Sequence, residues 1–179
     1  MNIVTDLEEI RRLAEQRRDD DYDFRSFLKC VTMPSEDVDD VFRSVYEEVR
    51  QHIDCNECAN CCKAAVPDFM EYEMKRMAEA LDMSPDDFVE RYCTESEGLQ
   101  DYTFPEKPCP MLEDNRCAVG DAAPDCCKDY PHLDKPFRAG SMISIIDRSA
   151  MCPIVFNVLE RVQPIIRSKE RDHLGDSYV

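Results

Sequence analysis

The clearest pattern along the chain is a stripe of apolar residues at helical spacing in residues 36–53. Its members lie three or four positions apart, with charged residues between them: Val38, Val41, Phe42, Val45, Val49 and Ile53. This spacing places the apolar side chains on one face of an α-helix. Ser35 precedes the stripe as a candidate N-cap. We therefore predict a helix here, with its apolar face in the core, that leads into Cys55.

Three further segments repeat apolar residues at helical spacing, namely residues 3–17, 70–81 and 85–92. Each is therefore predicted to be a helix. The three aspartates at positions 19–21 are expected to break the first of them. The methionines of residues 70–81 are interpreted as core packing, because methionine fills irregular space well.

β structure is expected in two places. Residues 109–119 predict a short hairpin or tight loop with a turn at positions 113–115, and residues 141–146 ("SMISII") are the best candidate for a strand. A final helix should begin at Pro153. It should be kinked or interrupted near Pro164, because proline lacks the backbone donor that a helix interior needs.

Cysteines are concentrated directly after the first long helix. The sequence "CNECANCC" places Cys55, Cys58, Cys61 and Cys62 within eight residues. A thiol at every third position lets one tight loop turn its sulfurs toward a common centre, as a metal ion or an iron–sulfur cluster requires. Because neighbouring side chains diverge, we expect Cys61 and Cys62 to bridge a multinuclear cluster or to serve two sites.

Composition favours metal ligation over a disulfide scaffold. The chain has 179 residues and eleven cysteines, an odd number, and shows neither a signal peptide nor an apolar segment of membrane-spanning length. We therefore expect a cytoplasmic protein in a reducing compartment, where disulfides are rare. Tryptophan is absent and 34% of the residues are charged, so metal ligation is expected to add to stability.

Four later cysteines extend the pattern in a fixed order. Cys109 lies in "PCPML", Cys117 in "NRCAV", Cys127 in "APDCCKDYP" and Cys152 in "AMCPI". With the CxxCxxCC head, this set resembles the zinc- or iron-chelating CxxCxxCC (YkgJ-type) family over residues 55–153. Flagellin lysine N-methylases are similar in this domain. The resemblance implies eight metal-ligating thiols: Cys55, Cys58, Cys61, Cys62, Cys109, Cys117, Cys127 and Cys152.

The chain also departs from the family pattern. Ala123 stands where the family usually has arginine, so an anion contact made by that arginine is not expected here. Cys30, Cys93 and Cys126 are additional thiols. Cys30 is interpreted as an apolar core thiol and Cys93 as structural. Cys126, next to Cys127 and followed by a lysine, is the best candidate for a thiol with a lowered pKa.

Several functions are compatible with this pattern. Eight thiolates could form two four-sulfur sites or hold one larger cluster. Zinc would make such sites structural, whereas an iron–sulfur cluster would permit electron transfer or sensing. The three-residue step and the Cys152-Pro153 pair slightly favour iron–sulfur. The alternatives are a redox or protein-modifying, methylase-like enzyme that uses the cluster, and a metal-handling or interaction protein.

Charge restricts the partners that we expect. The formal net charge is −17, which argues against nucleic acid and anionic membranes and is compatible with a basic protein partner. The four glycines are scattered and form no nucleotide-binding loop, which weakens the methylase alternative.

The domain prediction follows from the position of the cysteines. We expect a helical extension over residues 1–54, a cysteine-cluster metal-binding domain over 55–153, and a C-terminal helix with a polar tail over 154–179. The predicted fold class is mainly α with a short β hairpin, in a small, irregular, metal-stapled single domain.

Overall fold

Helices account for 59% of the computed structural model, which describes residues 3–176. The predicted mainly α fold with a short β hairpin is confirmed. Contacts divide the described chain into two compact units, residues 3–54 with 131–176 and residues 55–130. The domain boundaries given above stay predictions. None of the helices in the described residues is long and apolar enough to cross a membrane.

The secondary-structure elements of the described residues are mostly short. In chain order the α-helices are α1 (Leu7–Gln16), α2 (Arg18–Leu28), α3 (Ser35–Arg50), α4 (Cys55–Cys58), α5 (Asn60–Ala64), α6 (Glu71–Ala80), α7 (Pro85–Tyr92), α8 (Asp125–Lys128), α9 (Met142–Ser149) and α10 (Pro153–Asp176). The strands are β1 (Asp68–Phe69), β2 (Thr94–Glu95), β3 (Tyr102–Thr103), β4 (Leu112–Glu113) and β5 (Arg116–Cys117). A 3-10 helix spans Gly120–Ala122.

The first unit is built from α1, α2, α3, α9 and α10, with α10 packed against both α3 and α9. The predicted helix is confirmed, since Val38, Val41, Phe42, Val45 and Val49 of the stripe are buried on α3. It ends earlier than expected, at Arg50, and Ile53 is half-buried beyond it. Facing side chains of α10 are buried as well: Val155, Val158, Leu159, Val162 and Ile166. Burial of these apolar faces stabilises the unit by about 25 cal/mol for each Å² removed from water.

Buried carboxylates fix two loops of the first unit. Asp39 of α3 accepts hydrogen bonds from the backbone N–H groups of Phe137 and Arg138, both at 2.8 Å. Glu170 of α10 accepts from the N–H groups of Thr32 at 2.8 Å and Met33 at 3.0 Å. Each carboxylate thereby satisfies two backbone donors that burial would otherwise leave without partners.

Two predicted elements of the first unit are wrong. Residues 141–146 contain no strand: residues 142–146 belong to α9 and Ser141 precedes it, because Met142, Ile145 and Ile146 are buried at helical spacing. The aspartates at 19–21 do not break a helix. They form the first turn of α2, where negative side chains suit the positive end of the helix dipole.

Two further expectations for the first unit need correction. α10 is not interrupted at Pro164 but continues to Asp176, while the alternative of a kink stays a prediction. Val162 and Ile166 are buried on either side of the proline, and their packing offsets the one missing backbone hydrogen bond. Cys30 is exposed after the end of α2. It is therefore not a core thiol.

The second unit combines short helices with two small antiparallel sheets. β1, β3 and β2 pair in that order, and β4 pairs with β5. The predicted hairpin is confirmed, with its turn at Asp114 and Asn115, whose φ angles are 47° and 64°. Two left-handed residues are typical of a type I′ turn, which matches the twist of the paired strands.

An apolar cluster supports these short elements. Met74 and Met77 of α6 are buried in it, which confirms their interpretation as core residues. The same interpretation is wrong for Met70, which is exposed directly before α6. The other buried members come from several segments of the unit: Phe69, Ala78, Phe88, Phe104, Met111, Val119 and Ala123. α6 packs against α7 and the 3-10 helix, and α8 contacts β1. The cysteine-bearing segments are thus attached to a small core.

Candidate metal centre

The CxxCxxCC segment folds as two short helical turns, α4 and α5, joined at Ala59. This residue is 3% exposed and left-handed, with φ 46° and ψ 19°. Its N–H donates to the carbonyl oxygen of Cys55 at 2.8 Å, and its carbonyl accepts from the N–H of Lys63 at 3.1 Å. A left-handed alanine costs roughly 1–2 kcal/mol. The chain therefore stores strain in the middle of the motif, as functional sites often do.

The sulfurs of Cys61 and Cys62 lie 3.9 Å apart on α5. Around a tetrahedral zinc ion with Zn–S bonds of about 2.3 Å, neighbouring sulfurs are separated by about 3.8 Å. The expectation that these two side chains point apart is therefore wrong. Rotation about the Cα–Cβ bonds brings both sulfurs together although the Cβ atoms diverge along the helix. The pair can contact one ion.

Five thiols line a cavity of about 190 Å³ in the second unit. They come from three segments of the chain: Cys61, Cys62, Cys109, Cys126 and Cys127. Apolar parts of Ala65, Val66 and Pro67 and the side chain of Tyr130 complete the wall. The N–H of Cys109 donates to the carbonyl oxygen of Cys62 at 2.8 Å, which connects two of the segments.

α6 holds the third segment in place. α8 carries Cys126 and Cys127, and the N–H of Asp125 at its start donates to Oε1 of Glu73 at 2.7 Å. Glu73 is 5% exposed, and its Oε2 accepts from the N–H of Met70 at 2.8 Å. The Asp125 side chain is bound in turn by Arg76 at 3.0 Å. The orientation of the cysteine pair on α8 is therefore set by side chains of α6.

Each adjacent cysteine pair contains one thiol that ionises more readily. A hydrogen bond with Cys61 and the positive charge of Lys63 lower the pKa of Cys62 to about 7, against the opposing effect of burial. A hydrogen bond with Cys127 lowers the pKa of Cys126, and the same bond together with burial raises that of Cys127. Burial raises the pKa of Cys109 to about 11. Metals bind thiolates, so each pair has one sulfur prepared for ligation.

Four of the eight predicted ligands lie outside the lining of this cavity. Cys55 is exposed at the start of α4, Cys58 is half-buried at its end, and Cys117 is exposed on β5. The side-chain N–H of Asn115 reaches the carbonyl oxygen of Glu57 at 3.5 Å, so the β4–β5 hairpin lies next to α4. In the part of the chain that the structure describes, no three Cys, His, Asp or Glu side chains already surround a metal position.

The remaining cysteines occupy different surroundings. Cys152 is buried in the first unit, directly before α10. Cys93 is half-buried against the apolar cluster of the second unit, and burial raises its pKa to about 11. Cys126 was not among the predicted ligands, yet it lines the cavity and its Sγ lies 3.6 Å from the carbonyl oxygen of Asp68. The sequence signal for it was the adjacent pair Cys126-Cys127, which repeats the adjacent pair Cys61-Cys62.

The cavity offers the donors that zinc and iron–sulfur clusters use, since thiolates are the soft ligands both prefer. The family model described as a "putative zinc- or iron-chelating domain", CxxCxxCC, matches residues 54–153. No curated protein and no solved structure matches the chain. The matched stretch includes every thiol of the cavity and extends to Cys152. Because it covers more than half of the sequence, the chain belongs to the CxxCxxCC family of zinc- or iron-chelating domains.

Proposed function

We propose that residues 55–130 bind zinc or iron through cysteine thiolates at the five-thiol cavity, and that the metal joins the three segments that carry them. One observation supports this proposal above all. Thiols distant in sequence, on α5, at Cys109 and on α8, line the same cavity. An apolar core would place apolar side chains there instead, because free thiols contribute little to stability beyond their small apolar surface.

The residues present fit such a metal. Cys61, Cys62, Cys109 and Cys127 are predicted ligands that line the cavity. Magnesium and calcium prefer oxygen ligands, chiefly carboxylates. The residues that line the cavity include no aspartate or glutamate. When bound, zinc would act as a structural crosslink, and an iron–sulfur cluster would add electron transfer or sensing.

The size of the cavity allows more than one metal ion. Its volume of about 190 Å³ leaves room beyond that of a single ion. An iron–sulfur cluster or a multinuclear zinc centre fits that space, and we favour iron–sulfur. Cys55, Cys58 and Cys117 belong to the same unit and complete the proposed ligand set there, whereas Cys152 requires its own variant as a test.

Anaerobic purification with metal analysis and an absorption spectrum tests the proposal. We expect zinc or iron in the wild-type protein, with absorption in the blue region if the metal is an iron–sulfur cluster. Cys61→Ser and Cys127→Ser should each lose more than half of the metal. Cys30→Ser is the matched control, because Cys30 is exposed and lies in the other unit. Unchanged metal content in both site variants would contradict the proposal.

A further inference from the structure

The cavity contains one thiol more than a single tetrahedral ion can use. Zinc in a closed structural site takes four ligands, and the lining includes five cysteines. The fifth is Cys126, which the family pattern does not assign and which sits on the same helical turn as Cys127. Either this thiol is idle beside the metal, or the centre is larger than one ion.

The two adjacent pairs are placed alike. Cys61 and Cys62 lie on the five-residue helix α5, and Cys126 and Cys127 lie on the four-residue helix α8. All four line one cavity. The 3.9 Å separation of the first pair matches the spacing of two ligands on one metal ion. The two pairs and Cys109 together supply five sulfurs, one more than a single tetrahedral ion can bind.

Side chains of α6 hold the backbone directly before Cys126. Its neighbour Asp125 is bound through its N–H by Glu73 and through its side chain by Arg76. The S–H of Cys126 donates to the carbonyl oxygen of Asp68 on β1 at 3.6 Å, a hydrogen bond that the thiolate gives up when it binds metal. The α8–β1 contact therefore holds this thiol at the cavity rather than leaving it on a mobile segment.

We propose that Cys126 is a ligand of the metal centre and that the centre contains at least two metal ions joined by bridging sulfurs. This inference rests on the proposed function, since it requires that zinc or iron binds in the cavity. A bridging sulfur binds two ions at once, so two tetrahedral ions together can use five or more sulfurs as ligands. The spare cavity volume then holds the second ion.

Alkylation mapping of the protein as purified tests the ligand role of Cys126. A bound thiolate is protected from iodoacetamide, whereas a free exposed thiol reacts. Trypsin releases residues 117–128 as one peptide, and fragment ions distinguish Cys126 from Cys117 and Cys127. We expect Cys126 to react at least tenfold more slowly than exposed Cys30 while metal is bound, and at a similar rate after chelation. Reaction at the rate of Cys30 in the loaded protein would overturn the inference.

Metal counting tests the number of ions and does not depend on a single variant. We expect two or more ions per wild-type chain and the loss of at least one in Cys126→Ser, with Cys93→Ser unchanged as a half-buried control from the same unit. One ion per chain, or a full complement in Cys126→Ser, would overturn this inference but not the proposed binding of zinc or iron at the cavity. Wild-type protein without zinc or iron would overturn both. The alkylation result remains decisive if Cys126→Ser does not fold.

Discussion

The two compact units differ in the length of their elements and in what fills the space between them. The first unit contains the 16-residue α3 and the 24-residue α10, whose buried faces are largely aliphatic. Among the described helices of the second unit none exceeds ten residues, and each of its strands has two. Short elements bury little apolar surface each, and small cores are often supplemented by metals. The first unit can be stabilised by apolar packing, whereas the second is expected to need its metal.

Removal of the metal should have the largest effect and act on the second unit alone. Structural zinc sites supply on the order of 10 kcal/mol of folding free energy. We therefore expect chelation to expose residues 55–62 and 109–127 to protease and hydrogen exchange, while α3 keeps its protection. Mass spectrometry of exchanged peptides measures both regions in one sample. Equal protection of the two loops before and after metal removal would show that the metal does not hold the second unit together.

The first unit should respond to pH through Asp21. This carboxyl is 3% exposed, and burial raises its pKa to about 6, against the hydrogen bond from Gln163 at 2.5 Å and the charge of Arg17. A raised pKa in the folded state means that stability is greatest below the unfolded value near 4 and is lost as pH rises through about 6. A pKa shift of this size lowers the free energy of unfolding above pH 6 by about 3 kcal/mol at most.

Asp21→Asn should therefore stabilise the protein above pH 6 and have little effect below pH 4, since asparagine is neutral throughout. Urea unfolding monitored at a series of pH values measures the difference. Asp19→Asn, on the exposed side of the same turn, serves as the control. The metal centre should behave in the opposite way, because thiolates are protonated and release metal as pH falls. A benefit of Asp21→Asn that grew toward acid pH would contradict the assignment.

Glu73→Gln should weaken the second unit by a smaller amount. An amide cannot accept at both positions where Glu73 binds the N–H groups of Asp125 and Met70, and hydrogen bonds to a charged group contribute about 1.5–3 kcal/mol. We expect a loss of about 2 kcal/mol and a weaker hold on metal, measured by competition with a chromophoric chelator. Glu71→Gln, on the exposed face of α6, should lose only an exposed ion pair with Lys75 and leave metal affinity unchanged. Unaltered metal affinity in Glu73→Gln would show that α6 does not position α8.

Secondary-structure elements with a strong local pattern could be predicted from the sequence, whereas tertiary contacts could not. The stripe of α3 and the hairpin turn at Asp114-Asn115 follow from spacing and turn chemistry, which are local. The run at 141–146 combined β-branched residues with helical spacing, and burial of Ile145 and Ile146 decided for a helix. Propensity alone could not decide this, because tertiary packing overrides it.

The candidate centre shows the same division between local and long-range information. Motif spacing singled out Cys61 and Cys62, but it could not show that their sulfurs converge, because side-chain rotation is set by the folded environment. Cys126 was recognised as an unusual thiol, although its place in the cavity depends on contacts of α8 with α6 and β1. Those contacts join residues about 50 positions apart, which no local pattern encodes.

The smallest expected effect concerns the residue that follows the C-cap of α6, which is left-handed but is not glycine. The N–H of Met83 donates to the carbonyl oxygen of Ala78 at 3.0 Å and that of Asp82 to Glu79 at 3.1 Å, which is the Schellman arrangement. Asp82 is exposed with φ 53°, a conformation that glycine adopts without cost. Its negative charge also opposes the helix dipole.

Asp82→Gly should therefore stabilise the second unit by up to about 1 kcal/mol, since the strain it relieves exceeds the entropy that glycine adds to the unfolded chain. Glu79→Gly, exposed three residues earlier within the helix, should destabilise the unit by about 1 kcal/mol, because the backbone there is helical. Urea unfolding of the two variants with metal bound measures both signs, and metal content should not change in either. Destabilisation by both glycines would show that the left-handed conformation of Asp82 is not a source of strain that limits the stability of this unit.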